Sequence, residues 1–371
     1  MIAPFARLSP LVFVLALSGC ADRGSLGFVE YSYAQERTQA PGSLHQIYVA
    51  TSRSRLGGKA LDYGGDRASK LSYARFLMSV PPVHKPGKVE WPSGKPDQAK
   101  DFVTVEAEEF DAEGMRAAIN AQSAQKNPEE NEAVVFVHGY NTNFAESLYR
   151  LTQMVHDMKP PGIPVLYSWP SAGQTKAYVY DRDSTAIARD GLEKFLDQLA
   201  ASNVSRIILV GHSMGGFLTV ESLRQMAIKG NPQFRKKLAA VILISPDIDL
   251  EVFRAQVSRM QPLPDPFIIF GSKQDKALRL SARLTGKKQR LGSVAESDEF
   301  KALGVTLINV SDFKGGDSME HMTTATSPAV ISILRGVSGR FRREVSQGNK
   351  QASIASLWDE SRSAAANDKK P

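Results

Sequence analysis

The sequence contains one pattern that is typical of nucleophilic catalysis, Gly211-His212-Ser213-Met214-Gly215. An apolar run, residues 206–210, comes directly before it, and apolar residues at helical spacing follow over residues 217–227. In a Gly-x-Ser-x-Gly elbow the serine lies on a sharp turn between a strand and a helix, and small neighbours let the two elements approach closely. The pentapeptide alone is also compatible with a tight turn that has no chemistry. The strand before it and the helix after it predict that Ser213 is a nucleophile.

The general base is predicted from chain order. Around such elbows the catalytic groups follow one another as serine, acid and histidine. Five of the six histidines precede Ser213, so His321 is the one histidine with the required position. It lies between the last predicted strand and the last predicted helix. His138, at the end of an earlier strand, is instead expected to hold a loop in place.

Several aspartates are candidates for the acid that orients the histidine and stabilises its protonated form. Asp275 is preferred, because it follows the predicted strand that comes just before the histidine loop. Asp247 and Asp249 follow the preceding strand, and Asp312 and Asp317 lie in the histidine loop itself. These four remain alternatives.

Two backbone amides are predicted to stabilise the oxyanion of an acyl-transfer reaction. One amide belongs to Met214, the residue after the nucleophile, and the second comes from the loop after the first core strand. In that loop Gly139 would let the chain turn so that the Tyr140 amide faces the reacting carbonyl. Each such donor is worth about 3 kcal/mol in the transition state.

The elements that must position these groups alternate between strands and helices. After residue 131 the apolar runs are solid rather than alternating, which indicates parallel strands that are covered on both faces. We therefore predict an α/β fold with a mostly parallel, doubly wound sheet and helices on both faces. The predicted core strands are 133–137, 164–167, 206–210, 240–244, 267–270 and 305–310, and three earlier β-rich runs are 46–51, 73–80 and 102–107.

The space above the nucleophile is expected to be open. The 21 residues between Ser245 and the strand at 267 are too few for a separate cap domain. Residues 81–100 are the candidate roof. Trp169, Tyr178 and Tyr180 are near enough to line a pocket, but packing in the core is the favoured interpretation for them.

The N-terminus has the layout of a secretory signal, with Arg7 followed by the apolar run 11–17. The next residues, Leu17-Ser18-Gly19-Cys20, resemble a bacterial lipobox, in which the cysteine becomes the lipidated N-terminus. Acyl chains on Cys20 would attach the protein to a membrane, and Ala21 resembles the signal for sorting to the outer membrane, facing the periplasm. An ordinary signal peptide with a chance cysteine is the alternative.

These features divide the chain into segments. Residues 1–19 are the predicted signal peptide and residues 20–44 a lipoprotein tether. Residues 45–338 form the predicted catalytic domain, with a β-rich part at 45–130 and a core at 131–338. Beyond it, residues 339–371 are charged and rich in Ser and Ala, and a flexible polar tail is expected there.

Composition and charge exclude several classes of protein. With 371 residues, of which 42% are hydrophobic, the chain can bury a large core, and its single cysteine cannot form an intramolecular disulfide or a thiolate metal cluster. The net charge of +7 is concentrated in residues 273–290, where seven basic residues stand against Asp275. No nucleic-acid motif accompanies this stripe, so we expect a solvated face, with contact to anionic lipid as the alternative.

At these residues the chain resembles α/β-hydrolase fold serine hydrolases, and more narrowly the bacterial esterase/lipase-like hydrolases classed as a domain of unknown function. The resemblance covers about residues 45–338 and implies Ser213, Asp275 and His321 as a triad, without naming a substrate. It rests on Ile47-Tyr48-Val49-Ala50-Thr51-Ser52-Arg53, Phe136-Val137-His138-Gly139-Tyr140-Asn141, Tyr167-Ser168-Trp169-Pro170-Ser171, the elbow, and Asp275-Lys276-Ala277-Leu278.

Together these observations predict a membrane-anchored serine hydrolase that cleaves a small-molecule or lipid ester, or a related acyl bond, through an acyl-serine intermediate. No metal ion or organic cofactor is expected, and no nucleic acid is an expected partner. Two alternatives remain open. A non-catalytic envelope lipoprotein could use the same scaffold for binding, and an acyltransferase would differ only in the group that accepts the acyl chain.

Overall fold

The computed structural model describes residues 23–29, 42–58, 60–286, 288–294, 297–315, 318–335 and 354–367. The predicted signal peptide, Cys20 and Asp317 lie outside the described residues. Within the described part of the chain, no helix has the length and apolar character needed to cross a membrane.

A single sheet of nine strands forms the centre of the molecule, in the order β3-β2-β1-β5-β4-β6-β7-β8-β9. Strands β4 to β9 are parallel to one another, and β1 is parallel to its neighbour β5. Strand β2 pairs in antiparallel fashion with β1 on one side and with β3 on the other. The predicted mostly parallel α/β fold is therefore confirmed. The strands are β1 Ser43–Arg55, β2 Tyr63–Val80, β3 Val103–Phe110, β4 Glu132–Val137, β5 Ile163–Ser168, β6 Arg206–His212, β7 Leu238–Ile244, β8 Phe267–Gly271 and β9 Val305–Asn309.

Helices cover both faces of the sheet. Alternate residues of each core strand point to opposite faces, so that in β4 Val135 joins one apolar cluster and Phe136 the other. The first cluster includes residues of α1, α3, α4, α6 and α8, and the second includes residues of α2, α9, α10 and α11. The helices are α1 Ala112–Ser123, α2 Phe144–Met158, α3 Tyr178–Ala200, α4 Met214–Lys229, α5 Pro232–Lys237, α6 Leu250–Val257, α7 Lys276–Leu284, α8 Asp298–Ala302, α9 Thr323–Thr326, α10 328–335 and α11 Ile354–Asn367.

A buried arginine joins the antiparallel part of the sheet to the parallel part. Arg53, on β1, is 1% exposed, and its guanidinium donates to Ser168 Oγ at 2.8 Å and to the Thr142 carbonyl at 2.7 Å. Burial lowers its pKa to about 10, although the charges of Asp181 and Glu146 oppose this shift. Because Arg53 bonds to β5 and to the loop after β4, it fixes the relative position of three segments that are distant in sequence.

Part of the predicted tether is docked on the domain. Within the range 20–44, residues 23–29 lie against the body of the protein. The Gly27 amide donates to the Tyr149 hydroxyl at 2.8 Å, and Thr104 on β3 exchanges backbone hydrogen bonds with this segment. Arg23 donates to the Asn141 carbonyl at 2.8 Å and also pairs with Glu146. The first described residues therefore lie beside the loop that follows β4.

The expectation of a flexible tail throughout residues 339–371 is wrong for its described part. Residues Ile354–Asn367 form α11, in which Leu357 and Trp358 are 3% and 2% exposed. The Trp358 ring lies 5.8 Å from Phe270 and 5.9 Å from Phe313. Two apolar side chains in a polar, Ala-rich segment are too weak a periodic signal to predict a helix. In the structure, their burial against the domain holds α11 in place.

A cluster of ionisable side chains fastens the segment after β2 to the end of α2. The two ring nitrogens of His84 lie 2.7 Å from Glu90 and 3.0 Å from Asp157, and the Gly87 amide donates to Asp157 at 2.7 Å. Burial by itself would lower the pKa of His84, but the hydrogen bonds and charges of Asp157 and Glu90 outweigh it and raise that pKa. Protonated His84 is therefore stabilised in the folded protein.

This cluster predicts a pH-dependent contribution to stability. The pKa of His84 is higher in the folded protein than in the unfolded chain, where it is about 6.5. The stabilisation by His84 is therefore fully present below the pKa of the unfolded chain and is lost as the pH rises through the pKa of the folded protein. The difference in free energy of unfolding between the native chain and His84→Gln should shrink from pH 6 to pH 9, as measured by urea denaturation.

His45 provides a control with the opposite sign. Burial and the charges of His156 and Lys159 lower the pKa of His45 to about 4, so its neutral form is favoured in the folded state. The difference between the native chain and His45→Gln should therefore grow as the pH rises from 4 to 6.5. A difference for His84→Gln that is constant with pH would contradict the proposed charge on His84.

Candidate functional site

Ser213 lies on a sharp turn between β6 and α4, at the carboxyl end of the parallel strands. Its φ of 53° and ψ of −123° are unfavourable for a residue with a side chain. The Ser213 amide donates to the Ile244 carbonyl at 2.9 Å, and its carbonyl accepts from the Asp247 amide at 3.1 Å. These bonds to β7 and to the residues after it hold the strained conformation in place.

Glycine is required beside this turn because backbone from another strand approaches it. A Cβ on Gly215 would lie 2.1 Å from the His138 carbonyl oxygen and 2.4 Å from that of Val137. A Cβ on Gly211 would lie 2.8 Å from the Gly216 Cα. The pentapeptide thus allows α4 to begin directly against the end of β4.

His321 and Asp275 are brought together from two different loops. The Nδ1 atom of His321 lies 2.7 Å from Oδ2 of Asp275, whose side chain is fully buried. The other oxygen of Asp275 accepts from the Leu278 amide at 2.9 Å and so caps α7. With Nδ1 oriented by the carboxylate, Nε2 is the nitrogen that can take a proton from a nucleophile.

The same imidazole lies against the residue that precedes Ser213. The His321 and His212 rings are 4.7 Å apart, and His212 Nε2 is 3.3 Å from the His321 carbonyl oxygen. Burial and the charge of His321 hold the pKa of His212 well below its usual range, so His212 is neutral. This packing places the histidine loop at the elbow, although more than 100 residues separate the two in sequence.

The other aspartate candidates have different partners in the structure. Asp247 accepts from Ser281 at 2.7 Å and forms an ion pair with Arg290 at 3.2 Å. Asp249 caps α6, and Asp312 pairs with Arg362 at 3.6 Å. Of the candidate aspartates that the structure describes, Asp275 is the one that is hydrogen-bonded to His321.

The loop after β4 lies against the elbow, as an oxyanion hole requires. A Cβ on Gly139 would be only 3.0 Å from Ser213 Cβ, so the backbone next to Tyr140 is close to Ser213. Met214 is fully buried as the first residue of α4. Both predicted amide donors therefore belong to backbone that adjoins Ser213.

Sequence reasoning missed one residue that supports this loop. Asp181, in the first turn of α3, accepts from the Asn141 amide at 3.1 Å, the Ser171 hydroxyl at 2.6 Å and the Ala172 amide at 2.8 Å. Burial raises its pKa, in spite of these hydrogen bonds and the charge of Arg53. An acid in the first turn of a helix is common, so the sequence carried no specific signal for this role.

His138 and Trp169 are both buried and pack against each other, as expected for a histidine that holds a loop and a tryptophan in the core. Their rings stack 5.1 Å apart, and Trp169 Nε1 donates to the His138 carbonyl at 2.7 Å. Burial and the charge of Arg53 hold the pKa of His138 well below its usual range. His138 is therefore a neutral side chain that fixes the end of β4.

A cavity of about 470 Å³ borders the elbow through His212 and Gly139. Val89 and Trp91 contribute to its lining, so part of the candidate roof, residues 81–100, does lie over this region. Between β7 and β8 the chain forms one short helix, α6, and no separate cap domain, as predicted. The cavity also receives Arg23, from the docked N-terminal segment.

A possible metal-ligand set lies elsewhere, at the cluster that fastens the segment after β2. His84, His156 and Asp157 offer three ligand atoms within 4.8 Å of one another. Both nitrogens of His84 already have carboxylate partners, Glu90 and Asp157. The ion pairs account for this arrangement, and the candidate site contains none of these residues.

The nine-stranded sheet and the elbow together define an α/β hydrolase. In agreement with this, residues 115–338 match the family described as "Alpha/beta hydrolase of unknown function (DUF900)", and the chain belongs to that family. None of the curated proteins is detectably similar to it in sequence.

Several solved structures are similar to this chain at a low level. An esterase structure from the fungus Rhizomucor miehei has 11% identity and a TM-score of 0.36, and the match covers 83% of this chain and 86% of that one. Aspergillus fumigatus lipase B has 16% identity and a TM-score of 0.35, over 58% and 54% of the two chains. An esterase from Pyrobaculum calidifontis has 12% identity and a TM-score of 0.30, over 62% and 92%. At this level they are similar in outline only.

The close approach at Gly215 yields a prediction. Gly215→Ala should lower the free energy of unfolding by about 2 kcal/mol, because the new methyl group meets backbone carbonyls that cannot move aside. Gly216→Ala is the matched control in the same helical turn, since its Cβ would first meet a Pro246 side-chain atom, at 3.2 Å. Equal effects in thermal and urea denaturation would contradict the proposed contact.

Proposed function

We propose that this protein is a serine hydrolase that cleaves carboxylic ester or related acyl bonds through an acyl-serine intermediate. The observation that carries the proposal is the 2.7 Å contact between His321 and Asp275, on a histidine whose ring packs against the residue before Ser213. A nucleophile on a strained turn, an oriented imidazole and a buried carboxylate are the parts that acyl transfer requires.

Each residue has one task in the proposed reaction. Ser213 Oγ attacks the acyl carbon while its proton passes to Nε2 of His321, and the carbonyl electrons move onto the oxygen. The amides of Met214 and Tyr140 stabilise that oxyanion. Collapse of the intermediate releases the alcohol, which takes the proton from His321, and water then cleaves the acyl-serine by the same steps. Asp275 stabilises the imidazolium in both halves.

We also propose that the enzyme acts at the bacterial envelope, attached through lipidated Cys20. The lipobox-like Leu17-Ser18-Gly19-Cys20 supports this location. Mass spectrometry of the protein purified from membranes would test it. A mature N-terminus at a residue other than Cys20, or a Cys20 without acyl chains, would contradict the anchor.

Fluorophosphonate labelling tests the nucleophile. The native chain should be labelled, whereas Ser213→Ala should not be, because the probe reacts only with an activated serine. A folded native chain that takes up no label would instead indicate a non-catalytic binding protein. Comparison of product ratios with and without added alcohols then distinguishes hydrolysis from acyl transfer.

The acid can be tested with a pair of variants. Asp275→Asn should lower kcat by about 10⁴-fold, because the amide favours the wrong imidazole tautomer, while asparagine still caps α7. Asp247→Asn is the control, since its partners are Ser281, Tyr178 and Arg290. The acid would be misassigned if Asp247→Asn had the larger effect on kcat for a soluble ester in correctly folded protein.

A further inference from the structure

The basic stripe found in the sequence occupies a defined place beside the candidate site. It begins at Lys273, runs through α7 and returns to the same edge of the sheet at Arg290, which forms an ion pair with Asp247. Halfway along, the Ser281 hydroxyl donates to Asp247 at 2.7 Å. Since the Asp247 amide itself bonds to the Ser213 carbonyl, α7 lies across the carboxyl edge of the sheet, next to the elbow.

The outer face of α7 is cationic. Lys276, Arg279 and Arg283 follow at spacings of three and four residues, which places them on one side of the helix. All three are exposed, as is Lys273 just before the helix. Within the described residues, none of these four cations forms a salt bridge. Lys276 Nζ donates to the Ser318 carbonyl at 3.0 Å and Arg279 donates to the Gln274 carbonyl at 3.4 Å, so these exposed charges have neutral partners rather than carboxylates.

The same face also carries exposed apolar side chains. Leu280 and Leu284 are 47% and 64% exposed, and they lie among the cations at helical spacing. Met319, 38% exposed, adjoins the start of α7, because its carbonyl accepts from the Lys276 amide at 2.9 Å. Exposed large apolar residues that lie together in this way are typical of an interaction surface.

The N-terminal segment approaches this edge from the other side. Arg23 contacts Asn141 in the loop after β4, and only two residues separate it from Cys20. Three peptide steps reach at most roughly 10 Å. A lipid anchor at Cys20 would therefore hold the carboxyl edge, rather than the opposite edge, close to the bilayer.

We infer that α7 and its neighbour Met319 form a membrane-binding surface that holds the candidate site against an anionic lipid bilayer. Cations that surround leucines are the chemistry of helices that lie in a bilayer interface, where the cations meet anionic headgroups and the leucines enter the acyl boundary. This placement predicts that the substrate class is an acyl ester held in the bilayer. That part of the inference rests on the proposed function.

A dye placed on the surface tests the inference directly. In the full chain carrying Cys20→Ser, Leu284→Cys offers a single thiol for an environment-sensitive nitrobenzoxadiazole label. Phosphatidylglycerol vesicles should shift its emission to the blue and raise its intensity several-fold, and phosphatidylcholine vesicles should do so far less. Ile228→Cys is the matched control, since Ile228 is 62% exposed near the other end of α4. Equal responses at the two positions would overturn the proposal.

Charge reversal provides a second, independent measurement. Arg279→Glu/Arg283→Glu should weaken cosedimentation with phosphatidylglycerol vesicles by at least about tenfold. Lys194→Glu/Lys236→Glu changes the net charge equally at exposed positions in α3 and α5 and should have little effect. Both variants keep the same apolar N-terminal segment, so a difference in cosedimentation between them cannot come from that segment. Similar losses would show that overall charge matters, not this surface.

The two proposals can fail separately. The ratio of the rate on an ester within phosphatidylglycerol vesicles to the rate on soluble p-nitrophenyl butyrate should fall in Arg279→Glu/Arg283→Glu. If Ser213 is not a nucleophile, both rates are absent while the dye and cosedimentation results persist, and only the ester substrate is refuted. If the surface is wrong, the soluble rate persists and the ratio does not change.

Discussion

The contact between Gly215 and the carbonyl groups at the end of β4 is the constraint on which the candidate site depends. It allows the first turn of α4 to lie directly against β4, with Ser213 at a φ of 53° between them. The strained backbone at Ser213 and the adjacent loop after β4 are two consequences of this one approach. Because backbone meets backbone there, side-chain repacking cannot compensate for a larger residue.

Two buried charged side chains near the elbow, Arg53 and Asp181, each have several hydrogen-bond partners. Arg53 bonds to β5 and to the Thr142 carbonyl, while Asp181 accepts from the loop that contains Asn141. Burial disfavours the charged form of both side chains. Removing the groups that bond to Arg53 or to Asp181 would therefore leave a buried charge without partners, which is costly. Such a network keeps the loop after β4 in one conformation, as a preorganised oxyanion site requires.

Most of the charged stripe lies at the same edge as the candidate triad. Asp275 is both the partner of His321 and the cap of α7, so the proposed membrane surface begins at the proposed acid. The docked residues 23–29 reach this edge from the opposite direction. The geometry thus connects three features of the sequence, the N-terminal segment, the basic stripe and the elbow, which have no evident relation along the chain.

The sequence by itself determined the local features. Solid apolar runs predicted the six core strands, β-rich runs predicted the three earlier ones, and the pentapeptide predicted the strand-turn-helix around Ser213. Each of these depends on residues close together in the chain. It left open which aspartate meets His321, and it did not indicate Asp181, the docked residues 23–29 or helix α11. Those depend on contacts between segments far apart in sequence, which a local pattern does not encode. Only the tertiary structure brings a buried carboxylate within 2.7 Å of an imidazole 46 residues away.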